Sequence, residues 1–479
     1  MENGKWKMEN VFSLIELVLA SSSNINETLT KTDKKVTIIA SEVKQSYLLS
    51  IDKIKKYFFL LIITLCPMLY AQPVDSLISE ALQNNPQLKA LQSRITSAEY
   101  GSKSFGYLPP PTLGIEFNQI PTDKLNIWND AMEQSISISQ MFPLGGKLSA
   151  MENAERKNID IAAADYDSYK LQLISGIKKL YYEIWLMQHH AELRNETVNL
   201  LQSIYESTEL QYQVNRAAYS DLLLIQAEIS SNKTEAEIIG NEIFSLIYKM
   251  NALLGRELND NRLYVNHYLD IDTSFIDISN VENLLEENPS LIRMERITEM
   301  NQLQIEANNK ELIPDLMIGG MLMRMPQGMP LTSKSNVHML NGNVETEFMY
   351  GIMASITLPF APWSSGKYSA KEEELLANIE GIRYEKGNMK RELITETKSL
   401  ITRLQNLKNK ILLYENEVIP LYKKTIEVQL TEFQNNRLPI TSIIETVKML
   451  LMKEEALAEV QAEYQILRAE LEAVINGKW

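Results

Sequence analysis

The sequence predicts a mainly α fold with membrane β: internally duplicated long helical hairpins, with four transmembrane strands shared between two copies of one unit. Three observations predict it. Proline-centred landmarks recur in the same order, proline-free helical text runs too long for a compact globule, and short segments alternate between an apolar and a small or polar face.

Composition bounds the class. At 45% hydrophobic and 23% charged residues, the 479-residue chain is too apolar for a disordered protein. A formal charge of −15 argues against nucleic-acid binding, which needs a basic face. The single cysteine, Cys66, excludes disulfide scaffolds and cysteine-based zinc sites.

The one long apolar run is Tyr57 to Tyr70, preceded by Lys53, Lys55 and Lys56. A membrane-spanning helix needs about 20 apolar residues, so the shorter run reads as a signal peptide over 51–71, cut after Ala71. Leu69 departs from the small residue expected at that cleavage position. Cys66, as a lipid acceptor, would want a small residue before it and finds Leu65. Residues 1–50 have no sustained period and read as an over-extended gene start. Export is the expectation, and residues 72–479 then carry 38 basic against 55 acidic residues.

The duplication is read from landmarks. Asn85-Pro86 returns as Asn288-Pro289, Leu108-Pro109 as Ile313-Pro314, and Phe142-Pro143 as Leu358-Pro359. Gly146-Lys147 is matched by Gly366-Lys367, and Asn215-Arg216 by Asn436-Arg437. The expected units are 72–270, with strands near 111–120 and 131–143, and 271–479, with strands near 315–325 and 346–359.

Each unit opens with a helix. In the first, Leu77, Ala81, Leu82, Leu88, Leu91 and Ile95 recur at helical spacing over Val74 to Phe105. The strands follow. Ile136, Ile138 and Phe142 alternate with Ser135, Ser137 and Ser139, and Phe348, Tyr350, Ile352 and Ile356 alternate with Met349, Gly351, Met353 and Ser355. Leu113, Ile115 and Phe117, and Leu316, Ile318 and Leu322, supply the partner strands. Next comes helical text from Lys147 to Val214, rich in strong helix formers, whose length is on the order of 100 Å and suits a coiled coil.

Segments of about ten residues with one greasy face are what a membrane barrel requires; soluble hairpins with one buried face are the competing reading. Four strands cannot close a barrel, because the smallest have about eight. Open sheet edges in hydrocarbon leave amides unpaired at several kcal/mol each. Strands in a bilayer would therefore be pooled between chains, and three chains would give twelve strands above a shared hollow cylinder of helices.

These residues resemble the TolC-type outer-membrane efflux proteins over about 72–479. The resemblance rests on the duplicated unit, the two Asn-Pro pairs and the strand exit Ser139-Gln140-Met141-Phe142-Pro143-Leu144-Gly145-Gly146-Lys147. That exit further resembles the heavy-metal, CusC/CzcC-like branch. The resemblance implies a trimeric 12-stranded β-barrel in the outer membrane of a Gram-negative bacterium, continuous with an α-helical barrel in the periplasm. It implies a periplasmic adaptor and an inner-membrane RND-type pump as partners, outer-membrane lipid around a homotrimer, and no cofactor.

The resemblance places adaptor contacts at the turns between long helices, here Val214, Asn215, Arg216 and Asn436, Arg437, Leu438. The family's glycine is replaced by Asn215 and Asn436, and asparagine tolerates the left-handed backbone such a turn needs. These residues are equally readable as plain turn residues. Asp221 matches a gate acid; the second unit has Ser442 and Glu445. Three copies of Glu445 around a closed tip would form a carboxylate ring that favours cations, whereas a lone glutamate is more commonly a solvated helix charge.

Methionine is concentrated. Eight of the chain's 21 lie in residues 317–353, where an even spread gives about 1.6. Met317, Met321, Met323 and Met325 alternate with Leu316, Ile318 and Leu322, and Met349 and Met353 with Phe348, Tyr350 and Ile352, so these methionines face the lumen if the apolar side faces lipid. Thioethers are soft ligands that select Cu(I) and similar ions, and His338 lies in the same loop; adaptable apolar filler is the other reading. His189 and His190 are adjacent and point about 100° apart on a helix, and His267 lies in a polar connector.

Phosphate-loop, serine-hydrolase and zinc-protease motifs are missing, so no enzyme is expected. The expected function is passive conduction of exported substrate, with Cu(I), Ag(I) or other heavy metal ions first. An organic-compound duct of the same fold and a periplasmic coiled-coil scaffold or adaptor are the alternatives.

Overall fold

A computed structural model describes residues 73–120, 122, 126–260, 263, 265, 281–326, 346–435 and 437–476, all within one compact unit, Ala71–Trp479. The expected extension, signal peptide, Cys66, His267, His338 and Asn436 lie outside the described residues.

The chain is mostly helical, and one order of elements runs through it twice. Helices α1 (Val74–Asn84) and α2 (Pro86–Ser104) lead into strand β1 (Thr112–Asn118), short helix α3 (Ile127–Asp130) and β2 (Glu133–Pro143). Helix α4 (Lys147–Gln213) and the returning α5 (Tyr219–Leu254) form a long hairpin. The second half has α6 (Val281–Leu285), α7 (Pro289–Lys310), β3 (Asp315–Pro326), β4 (Thr346–Ile356), α8 (Ser365–Leu413), a π turn (Tyr414–Val418), α9 (Ile419–Gln434) and α10 (Ile440–Val474).

Two local departures have physical causes. The single opening helix expected over Val74–Phe105 is two helices, because the residue before a proline is pushed out of the α region. Asn85 accordingly sits at φ −57°, ψ 122° and caps α2, its side chain accepting from the Leu88 amide at 2.9 Å. The second long helix also differs from the unbroken 67-residue α4. Pro420 has no N–H to bond four residues back, and the backbone widens into the π turn just before it.

Burial follows the helical apolar stripes. Leu77 and Ala81 of α1 pack with Ile177 and Trp185 of α4 and Met250 of α5 near the base of the first hairpin. Nearer the turns, Ile204, Ile225, Phe433 and Ile443 join four helices.

The four strands make one antiparallel sheet in the order β1-β2-β3-β4, so β2 and β3 pair across the two halves of the chain. The edges β1 and β4 have no partner strand among the described residues. The exit from β2 turns on Gly145 and Gly146, at φ 69° and 72°. This left-handed region strains side chains with a Cβ, and a Cβ at Gly145 would also stand 2.3 Å from the Ile313 side chain.

Candidate functional site: the sheet and the helical turns

Register puts the apolar residues of all four strands on one face. Ile115 faces Ile136, Ile136 faces Leu322, and Leu322 faces Tyr350; the next row holds Leu113, Ile138 and Ile352, and the row nearest the helices Phe142, Leu316 and Ile356. That face is bare: Ile136 is 55% exposed, Tyr350 86% and Ile352 83%, whereas Ser135 is only 5% exposed. The small and polar side is the more sheltered one, with Ser135 buried and Met321, Met323 and Met349 half-buried although Met141 and Met353 are 38% and 40% exposed, the inverse of a soluble hairpin. About ten residues at 3.3 Å each, tilted roughly 40°, give a band about 25 Å tall.

The sheltered face holds the methionines. Met323 pairs directly with Met349, Met321 with Gly351, Met325 with Glu347, and Met353 with Gly319. Met317 and Met141 face each other one row nearer the helices. Met321, Met323, Met325, Met349 and Met353 therefore line one face, interleaved with Ser135, Ser137 and Ser139. Three or more His, Cys, Asp or Glu side chains gather nowhere among the described residues as a metal site.

The first helical turn is a left-handed C-cap. Asn215 has φ 57°, its amide donates to the Tyr212 carbonyl at 2.9 Å, and the Arg216 amide donates to the Gln211 carbonyl at 2.8 Å. This double bond pattern satisfies carbonyls that the helix end leaves open. Val214 stands exposed beside it. In the second turn the Arg437 amide donates to the Glu432 carbonyl at 2.9 Å, Arg437 is exposed and Leu438 half-buried.

The two acids differ. Asp221 accepts from the Ala218 amide at 3.1 Å and so caps α5. The matching position in the second turn is Pro439, with the same extended backbone (ψ 151° against 153°) and no N–H to cap; Ser442 stands where Asp221 does. Glu445 is exposed on the following turn of α10.

Two features escaped sequence reasoning. Lys147 is 4% exposed and pairs with Asp315 at 2.7 Å, joining the start of α4 to the start of β3. Its sequence counterpart Lys367 is exposed, its ammonium 5.8 Å from the centre of the Tyr368 ring. Aromatic side chains also border the apolar band: Phe117, Trp128, Phe348 and Tyr350 toward the far end, Tyr107, Phe360 and Trp363 toward the helices. Such rims mark the two interfaces of membrane barrels, and adjacency of aromatics to strand ends was the available signal.

Where α4 meets α7, Glu299 accepts from Lys157 at 2.8 Å and from Arg296 at 2.8 Å. These hydrogen bonds hold the Glu299 carboxyl below its ordinary range, with Lys157 the larger cause. The Glu299 hydrogen bond in turn raises Lys157 and Arg296. On the opposite stretch of α4, burial foremost pushes the Tyr182 phenol up to about 12.

Comparison with known proteins bears on this arrangement. Residues 77–242 match the model of the family described as outer membrane efflux protein. No curated protein matches in sequence. Among solved structures, crystal structures of CusC, described for folding and transmembrane channel formation, superpose with a TM-score of 0.68 at 16% identity, covering 86% of this chain and 96% of that one. The outer membrane protein VceC of Vibrio cholerae gives 0.65 at 16% identity, covering 84% and 96%. The CmeC outer membrane channel of Campylobacter jejuni gives 0.66 at 14% identity, covering 84% and 85%. The fold is that of outer-membrane efflux channels. No helix among the described residues is long and apolar enough to cross a membrane.

Proposed function

We propose that this protein is the outer-membrane channel of a tripartite efflux system, a passive duct fed by an inner-membrane pump of the RND type through a periplasmic adaptor. One observation carries the reading: the sheet's apolar face is far more exposed than the face that holds the β2 serines and most of the strand methionines. In water that arrangement leaves large apolar residues uncovered; in a bilayer it places them against lipid. The unpartnered edges of β1 and β4 then require neighbouring copies, and three copies make twelve strands. The strand topology, the fold likeness and the family match support this reading.

Within it, Val214, Asn215, Arg216, Asn436, Arg437 and Leu438 are the proposed adaptor contacts, and Asp221 and Glu445 the proposed gate acids. The substrate proposed is Cu(I) or Ag(I), or another soft heavy metal, passing Met321, Met323, Met325, Met349, Met353 and His338. The same flexible thioether lining suits organic compounds, which is the second reading.

Two measurements test this. Extraction from membranes only by detergent, with a trimer that changes migration on heating, supports the duct; release by osmotic shock as a soluble single chain overturns it. A deletion strain should gain copper and silver sensitivity. Complementation by a variant with Met321, Met323 and Met325 changed to Leu should fail to restore tolerance if thioethers matter. Unchanged tolerance on deletion removes the metal substrate and leaves the duct standing.

A further inference from the structure

The outward face of the described strands carries a single charged residue. By register it contains Leu113, Ile115 and Phe117 of β1, the even-numbered positions 134 to 142 of β2, and those from 316 to 324 of β3 and 348 to 356 of β4. Arg324 is the one group among them that is charged at neutral pH. The acids of the strands, Glu116, Glu133, Asp315 and Glu347, fall in the opposite register.

Arg324 lies in a row that reads Phe117, Gln134, Arg324, Phe348 across the sheet. It is exposed, and its one hydrogen bond among the described residues is a long one, Nη1 donating to Gln134 Oε1 at 3.4 Å. Gln134 is itself fixed, donating to the Trp128 carbonyl at 2.5 Å. Trp128 meets Phe117 edge-on at 4.8 Å. A cavity of about 230 Å³ lies here, lined among others by Phe117, Trp128, Leu322, Arg324 and Phe348.

A guanidinium on a lipid-facing strand is costly at the bilayer midplane and close to neutral near the interface. Arg324 is two residues before Pro326, at the end of β3 far from Asp315 and the long helices, which corresponds to the distal interface. Guanidinium matches phosphate in charge and fork geometry, and the aromatic and aliphatic neighbours offer a surface for acyl chains. We infer that Arg324 with Gln134, Trp128 and Phe348 forms an outward-facing site for a phosphate-bearing lipid of the outer leaflet, its phosphate on the guanidinium and its chains along Leu322 and Tyr350. The site rests on the proposed placement of the sheet in the outer membrane.

The test uses the full protein extracted in detergent, with heat-modifiable migration as the folding control for wild type, Arg324→Gln and Arg324→Lys. Titration with bisphosphoryl lipid A, followed by native mass spectrometry, is compared with titration by the same glycolipid stripped of both phosphates. Wild type should bind the phosphorylated form at least tenfold tighter; Arg324→Gln should abolish that preference and Arg324→Lys keep part of it. Equal preference in wild type and Arg324→Gln overturns the site, as does displacement of the glycolipid by equimolar inorganic phosphate. Flotation with lipid vesicles separates the two levels. A wild type that does not float removes the membrane placement and the site together, whereas one that floats but ignores the Gln substitution removes only the site.

Discussion

Asn85 donates its side-chain amide to the Leu253 carbonyl at 2.8 Å, tying the opening of α2 to the end of a hairpin 168 residues further along. The same amide group's oxygen caps α2. Asn288 repeats both acts, accepting from the Ser290 amide and donating to the Val474 carbonyl at 2.9 Å. Both asparagines are buried. The Asn-Pro pair is therefore a clamp: proline sets the backbone at the helix start, and asparagine closes the far end of the long hairpin. Asn85→Ala and Asn288→Ala should each cost about 1–3 kcal/mol, the sum of a lost cap and an unsatisfied carbonyl. Asn→Asp retains the capping oxygen but replaces the donor with a buried carboxylate oxygen facing the hairpin-end carbonyl, so it should lower thermal stability at neutral pH and recover part of that loss when the carboxyl is protonated at low pH.

The Asp221 cap gives a way to separate a structural carboxylate from a gating one. Asp221→Ala should destabilise the turn by about 1 kcal/mol, because the Ala218 amide loses its acceptor. Asp221→Asn keeps an acceptor and removes the charge, and its stability should match wild type closely. Single-channel conductance in a planar bilayer then reports on charge: a closed-state leak or altered cation selectivity in Asp221→Asn marks a gate acid, and unchanged current marks a cap. Glu445→Gln, with no such local hydrogen bond, is the parallel experiment in the second turn.

The Glu299 cluster predicts an acid-sensitive joint between α4 and α7. Glu299 is held below its ordinary 4.5, so its contribution is fully present above that value and is lost as pH falls through the lower folded one. Lys157 is held above 10.5, so its contribution is present below that value and lost as pH rises through the raised one. Thermal unfolding should therefore be level from about pH 5 to 10 for this cluster and decline below pH 4.5. Glu299→Gln should melt lower than wild type at pH 6, and the gap should close toward pH 3. A gap that persists at pH 3 would show that the substitution acts through packing.

How much of this was written in the sequence depends on the range of the interaction. Periodicity is local, so α4 was legible to within a residue of its end, and the alternation over Ser135 to Phe142 assigned each face of β2 correctly. The left-handed Asn215 followed from its residue type. Pairing between β2 and β3 was not legible, because it joins Ser137 to Met321 across the whole first hairpin and no local pattern encodes it. Lys147 and Lys367 look alike in sequence, yet one is buried against Asp315 and the other exposed. Their difference comes from Gly145 and Gly146, both left-handed, whereas Gly366 lies inside α8. The aromatic rims had a signal in the aromatics next to the strand ends, whereas the outward Arg324 becomes visible only once register aligns Phe117, Gln134, Arg324 and Phe348 in one row.

Ile352 and Met353 are neighbours in β4 whose side chains leave the sheet on opposite faces, and together they test which solvent each face meets. Ile352 is 83% exposed and lies mid-strand opposite Gly320. On a soluble protein, lysine at so exposed a position would change stability by no more than about 0.5 kcal/mol. On a lipid-facing strand the same substitution should cost roughly 2–4 kcal/mol near the midplane. Ile352→Lys should therefore reduce the yield of heat-resistant assembled protein in outer-membrane fractions by about tenfold or more. Met353→Lys, on the sheltered face, should assemble normally and shift ion selectivity toward anions instead. Equal assembly of the two variants would place water on both faces and remove the barrel; a defect in Met353→Lys alone would place lipid on the methionine side and reverse the orientation of the sheet.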